Sequence, residues 1–333
     1  MKRTASFRAL AVVVAACVVP APAICAAESN ATAGTAELTP ETERAIEKGL
    51  EWLIKTQNED GSWGTYKTAS TALGLMAFMV KGYFPERPPH GENLSKAVDF
   101  LLRQSQTQRG YMGTSMYEHG LATLALSEVW GMSNRAGIRE ALKLAVDVIL
   151  RAQNPQGGWR YNPAPTDADI SVTVMQVVAL ASAKEAGIFV PDTTIQKAVA
   201  YVTSCQHQQT GGFAYQPGGG PGFARTAAGV MSLMMCGRRD SDAAKRGRDY
   251  LINQPQNVFE SADGYYHYAH YYAIQAMYQA GDEYYQQWYP KIRDSLLKKQ
   301  AAEGNWPGGH GIGTQMAILI LGVPYRFLPI YQR

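Results

Sequence analysis

Two apolar patterns alternate along this chain. In TERAIEKGLEWLIKTQ, the residues Ala45, Ile46, Gly49, Leu50, Leu53 and Ile54 recur at steps of three and four. That period predicts a helix with one buried stripe and one wet face. TASTALGLMAFMVKG follows, apolar nearly all round, and predicts a helix covered on both sides. The pair then recurs. LSKAVDFLLRQSQTQRGYMG leads into MYEHGLATLALSEVWG, and IREALKLAVDVILRAQNPQGGWRY into DISVTVMQVVALASAKEAG. IQKAVAYVTSCQHQQTGGFAY leads into FARTAAGVMSLMMCG, AKRGRDYLINQPQNVFESADGYYHY into AHYYAIQAMYQAG, and YPKIRDSLLKKQAAEGNWPGG into GTQMAILILG.

Each first helix closes on a glutamine: Gln57, Gln104 or Gln106, Gln153, Gln206, Gln254 and Gln300, spaced 46 to 53 residues apart. An aromatic follows each glycine turn: Trp63, Tyr111, Trp159, Phe213, Tyr265 and Trp306. The expectation is an all-α chain of six helical-hairpin repeats of about 49 residues. Striped helices form the outside and fully apolar ones the inside. A closed ring covers both kinds. An open superhelix needs polar capping repeats, and the final inner helix, MAILILG, has no polar face; a two-layer bundle is the remaining alternative.

The ends of the chain modify this picture. Lys2, Arg3 and Arg8 precede the apolar run ALAVVVAACVV and a small-residue exit, the layout of a signal peptide over residues 1–26. Residues 27–40 are small and polar and read as a linker, leaving 41–333 for the ring. The leader carries three of the 31 basic residues, so the mature chain holds 28 basic and 28 acidic residues and lacks the basic face that nucleic-acid binding requires. No transmembrane span is expected in the mature chain, and its location is expected to be periplasmic or extracellular. Cys205 and Cys236 are expected as free thiols at opposite helix ends.

The Gln…Gly-x-Trp punctuation in QNEDGSWG, QNPQGGWRY and QAAEGNWPG resembles the repeat of the terpene cyclase and protein prenyltransferase superfamily. The resemblance covers nearly all of residues 41–322 and implies an (α/α)6 toroid. YEHGLATLAL, GGWRY and DADISVT look like the exported single-toroid proteins with prenyltransferase and squalene-oxidase repeats. Cyclases of the superfamily carry Asp-x-Asp-Asp-Thr-Ala, whose central aspartate protonates the polyene. Here Asp167 and Asp169 match, while the last Asp, the Thr and the Ala are absent, which argues against full cyclase activity. The Asp-x-Cys zinc pair of protein prenyltransferases is also absent.

In such a ring the inner helices start at one mouth, where their unpaired N–H groups gather. The sequence places Tyr117, Glu118 and His119 there, then Asp167 and Asp169, Arg225, His267, His270 and Tyr271, and His310. Asp167 and Asp169 are the candidate catalytic residues. The others, with Trp159, are candidate ligand contacts, and Arg225 is a candidate partner of either aspartate. The structural alternatives are an N-cap at Asp169 and simple packing for the rings. Three functions follow: an isoprenoid- or lipid-binding protein with terpene cyclase-like (isomerase) chemistry at most, a polysaccharide lyase or glycosidase (with Glu118 and Asp169 as its acid pair), or a non-catalytic scaffold. No cofactor is expected; a metal variant would use His119, His267, His270 and His310.

Overall fold

A computed structural model describes residues 38–133, 135–261 and 265–331. The expected leader, and the linker as far as residue 37, lie outside the described residues. Among the described residues, twelve α-helices run in outer–inner order: α1 (Pro40–Thr56), α2 (Lys67–Met79), α3 (Gly91–Thr107), α4 (Met116–Trp130), α5 (Ile138–Ala152), α6 (Ile170–Glu185), α7 (Asp192–Ser204), α8 (Phe223–Met235), α9 (Asp242–Ile252), α10 (Tyr266–Ala280), α11 (Asp282–Lys299) and α12 (Gly313–Leu321). The fold is an all-α toroid. Inner helices pack in succession, α2 on α4, α4 on α6, α6 on α8, α8 on α10 and α10 on α12. The circle closes where α12 meets α2 and α11 meets α1.

The apolar pattern explains this directly. Thr39 caps α1 through a bond from Thr42 N (3.2 Å), Pro40 starts it, and Ala45, Ile46, Gly49, Leu50 and Leu53 are buried. In α2, every residue from Thr68 to Met79 is buried. Inner helices with no wet face are possible only because neighbours cover both sides.

The loops carry the repeat chemistry. Gln153 Nε2 donates to Gly157 O in its own loop and to Thr194 O on the next outer helix, both at 2.9 Å. Gln57, Gln206 and Gln300 do the same with Gly61 and Asn93, Gly211 and Ala243, and Gly304 and Ala45. The Gln300 bond to Ala45 seals the ring. Gly157 has φ +100, and a Cβ there would stand 2.2 Å from Lys197 O, so the turn presses on the backbone of α7.

The aromatic then drops into the wall. Trp63, Trp159 and Trp306 are buried, and each indole N–H donates 2.7 Å to an outer-helix carbonyl, of Leu53, Ile149 and Leu296. Their backbone N–H groups donate to Thr71, Thr173 and Thr314 in the first turns of α2, α6 and α12. Phe213 repeats this with Thr226 of α8.

Two loops depart from the expected pattern. In the second, Met112 is the buried residue and Tyr111 is only partly buried; Gln106 is exposed and makes no such clasp. In the fifth, the Gln254 side chain donates to Tyr250 O of the preceding helix and makes no such clasp among the described residues, and Tyr265 is 60% exposed. We expect Gln153→Ala to lower stability by about 1–2 kcal/mol, for two lost amide bonds, and Gln106→Ala to leave it unchanged. Urea midpoints of the two variants check this; an equal effect from both would dissociate the glutamine from the clasp.

Candidate functional site

The start of α6 is assembled by its neighbours. A short bridge pairs Trp159 with Asp169, the N–H of Asp169 donating to Trp159 O at 3.0 Å. Ile170 N donates to Tyr215 O in the following loop, and Met116 N at the start of α4 donates to Tyr161 O, also in the loop before α6. The mouth around α4, α6 and α8 is therefore tied together through backbone.

Arg160 is the hub of this mouth. Its Nη1 lies 2.9 Å from Asp167 Oδ2 and its Nε 3.3 Å from Asp169 Oδ2. Its guanidinium stacks over the rings of Tyr161 and Tyr215, at 5.7 and 5.5 Å. Those two hydroxyls meet at 3.3 Å. Gln216 Nε2 donates to Asp167 Oδ1 and to Ala168 O.

The two aspartates differ. Asp167 is exposed. Asp169 is fully buried and caps α6 by accepting from Val172 N at 2.9 Å. Its second oxygen meets the Arg160 guanidinium loosely and has no well-formed hydrogen bond, with the Tyr215 hydroxyl close to the carboxyl. Burial raises its pKa above the ordinary carboxylate value, while the Val172 N–H, the Tyr215 hydroxyl and the Arg160 charge pull the other way.

Below the mouth the ring is filled. Tyr117 of α4 lies 6.3 Å, centroid to centroid, from Tyr268 of α10. These helices stand on opposite sides of the circle, so the contact spans it. Tyr272 packs on Tyr268 at 4.9 Å and Tyr271 on Tyr272 at 5.1 Å. Burial pushes the phenols of all four upward, so they remain neutral.

The remaining candidates belong to several separate places. Glu118 accepts from Thr114 N at 2.5 Å and Thr114 Oγ1 at 3.0 Å, while its own N–H donates to Ser115 Oγ, the N-cap of α4. His119 occupies the register that threonine holds in α2, α6, α8 and α12. It accepts from Met112 N at 3.1 Å and meets Ala145 O of α5 through Nε2 at 3.0 Å. The first bond makes Nδ1 the acceptor and therefore Nε2 the donor. His270 occupies the same register in α10, with Nε2 at 2.9 Å from Val258 O. The histidines thus stand in the two repeats without a Trp or Phe wedge. Trp159 faces the wall, as described above. His267 is buried beside the Tyr266 ring, and His310 is exposed with φ +54 in the turn before α12. Arg225 is half-buried and forms no ion pair among the described residues; the cation beside both aspartates is Arg160. No three His, Cys, Asp or Glu side chains among the described residues lie close enough to hold a metal ion. Cys205 and Cys236 are free.

Sequence reasoning did not single out Arg160, Tyr161, Tyr215 or Gln216. A signal existed: GGWRY and GGFAY place Tyr161 and Tyr215 at the same register of consecutive repeats.

Fold and site together define an α/α toroid with a buried carboxyl at its mouth. The model of the prenyltransferase alpha-alpha toroid domain matches residues 34–266, and the chain belongs to that family. Drimenyl diphosphate synthase of Streptomyces showdoensis is 26% identical over 179 residues, 52% of this chain and 32% of the relative. Human lanosterol synthase is 29% identical over 133 residues, 36% of this chain and 18% of the relative. The chain thus spans about a third or less of the length of these curated relatives. Among solved structures, an arginine-to-alanine variant of the type II terpene cyclase MstE from Scytonema, bound to geranylgeranyl dihydroxybenzoate, superposes with TM-score 0.60 at 14% identity, covering 86% of this chain and 97% of that one. An inactive variant of the α-1,6-mannanase GH76A of Salegentibacter sp. HEL1_6, bound to mannotriose, gives 0.65 at 9% identity, covering 86% and 99%. At those identities the likeness is one of fold. No helix among the described residues is long and apolar enough to cross a membrane.

Proposed function

We propose that this chain is an exported toroid that binds an isoprenoid or other lipid-like ligand at its mouth, with Asp169 as the acid that protonates it. One observation carries the reading. The Asp169 carboxyl is fully buried, raised by that burial, and held by one oxygen while the other lacks a well-formed hydrogen bond. A carboxyl that serves as a proton donor needs such a place, where burial favours its neutral form.

The rest of the mouth fits this role. A proton passes from Asp169 to an alkene carbon, whose π pair forms the new C–H bond. The carboxylate left behind sits beside Arg160. The faces of Tyr117, Tyr268 and Tyr272 stabilise the resulting cation. Loss of a proton elsewhere on the ligand restores the acid, so the net reaction is an isomerisation. Asp167, held by Arg160 and Gln216, positions the arginine. Tyr271 backs the floor, and Arg225 at the start of α8 is available to an anionic headgroup. Because Tyr117 and Tyr268 span the ring, only the reacting end of the ligand enters.

The glycosidase reading has weaker support, because the Glu118 carboxylate is committed to the Thr114 N–H and hydroxyl. Asp169→Asn is the test, since asparagine also caps helices and stability should change by less than about 1 kcal/mol. Lipid extracted with the protein from its host, or a polyprenyl substrate added in D2O, should acquire solvent deuterium with the wild type and none with the variant. Equal deuterium incorporation by both proteins would sink the proposal, as would a wild type that neither carries nor takes any lipid.

A further inference from the structure

The seam where the ring closes holds a pocket, apart from the Asp167 and Asp169 cluster. It is a cavity of about 310 Å³ between the first and last loops. Trp52 of α1, Asn58, the backbone of Gly64 and Gly311, and Gln315 of α12 line it. That volume corresponds to roughly ten water molecules, enough for one six-membered sugar ring.

Three observations limit what it takes. First, Gln315 is only 2% exposed, lines the cavity, and its Oε1 has no hydrogen-bond partner. Behind Gly64, Ser70 is 1% exposed and its hydroxyl is likewise unpartnered. A Cβ at Gly64 would stand 2.6 Å from that hydroxyl, so the lining glycine packs directly on it. Buried polar groups are nearly always satisfied, and an unsatisfied amide oxygen on a residue that lines the cavity marks a place for a hydrogen-bonding ligand. Second, no ionised side chain lines the cavity. Lys67 and Asp60, nearby in sequence, neutralise each other at 2.7 Å. A charged ligand would find no counter-charge. Third, half-buried Trp52 supplies an apolar indole surface on one wall.

A lining that combines an indole with the neutral amides and hydroxyls of Asn58, Gln315, Thr56 and Thr65 suits a ligand with C–H groups on one face and hydroxyls around its edge. We propose that the seam pocket binds a neutral pyranose sugar, with Gln315 Oε1 accepting from a sugar hydroxyl and Trp52 packing against the ring. This site is independent of lipid chemistry at the mouth.

The test is titration of intrinsic tryptophan fluorescence with glucose, galactose and mannose, alongside glucuronate and glucosamine. Saturation-transfer NMR on the wild type gives a second readout. At least one neutral sugar should bind saturably, and the two charged sugars should not. Gln315→Met, close in shape, and Trp52→Ala, on the outer layer, should each weaken binding about tenfold or more. Asp169→Asn should leave it unchanged. The assignment is overturned if no neutral sugar saturates, if charged sugars bind equally well, or if both pocket variants fold and bind like the wild type.

Discussion

Acidification from pH 7 to pH 4.5 should unfold this protein, and three histidines should drive it. His119, His267 and His270 are buried, and burial pushes each pKa from 6.5 down to about 4. The unfolded chain therefore binds protons that the folded one refuses. Stability is fully present above pH 6.5 and is lost as the pH falls through the folded values. Each gap corresponds to about 3 kcal/mol. One group opposes them. Glu128, 1% exposed, accepts from Ser182 Oγ at 2.7 Å and from Ile330 N at 3.2 Å, and forms no ion pair among the described residues. Burial raises its pKa from 4.5 to about 7. Its contribution is full below pH 4.5 and lost as the pH rises through 7, so acid returns about 3 kcal/mol there. Asp169, also raised, acts in the same direction. Three imidazoles outweigh these carboxyls, and the net loss is comparable with the total stability of a domain. Thermal melts from pH 8 to pH 4 should show a steep fall below about 6, made shallower by His119→Gln. A melting temperature flat between pH 7 and pH 5 would count against charged-form exclusion at these three sites.

The helices and their pairing were legible because burial writes itself into periodicity. A stripe at Ala45, Ile46, Gly49, Leu50 and Leu53 requires one covered face, and the uninterrupted TASTALGLMAFM requires two. Alternating them leaves few arrangements besides a ring. The loops were legible only where their chemistry was conventional. Gln153 and Trp159 kept the spacing of Gln57 and Trp63. Tyr111 and Tyr265 also followed glycines, yet neither became the wedge, because the side chain that fills the wall is set by loop geometry and not by the nearest aromatic.

The site was harder for a specific reason. Aligning the inner helices brings His119 and His270 into the same register as Thr71, Thr173, Thr226 and Thr314. That alignment was readable, but its purpose was not: the register serves to hold the preceding loop through a backbone N–H, as Met112 N shows at His119. Histidines gathered at one register therefore looked like a site while two of them hold the wall. The converse error hid Arg160. The Trp159–Asp169 bridge folds the loop back on itself and brings Arg160 against Asp167 and Asp169. Nothing in helix periodicity encodes that reversal, so the sequence reading looked for the cation one repeat later, at Arg225.

Trp159→Ala should be among the most damaging single changes in the molecule, and Trp159→Phe should be mild. The indole is 0% exposed and sits between α5 and α6. Truncation leaves a large cavity and a lost bond to Ile149 O, an effect of about 3–5 kcal/mol. It also loosens the bridge to Asp169, on which the position of Arg160 depends. Phenylalanine keeps most of the ring volume and removes chiefly the indole N–H bond, about 1 kcal/mol. The protein already contains this replacement, since Phe213 fills the equivalent place in the next repeat with its backbone bond to Thr226 intact. The same pair of changes at Trp306 should rank in the same order, with one added consequence. Trp306 packs on Gly49 across the seam, where a Cβ on the glycine would stand 2.8 Å from the indole. Trp306→Ala should therefore open the ring between α12 and α1 as well as weaken it. Hydrogen exchange would show this as protection lost first in α1, α2 and α12, whereas Trp159→Ala should expose α5 and α6 first. Uniform loss of protection across all helices in both variants would mean that the ring unfolds as one unit and that no wedge guards its own seam.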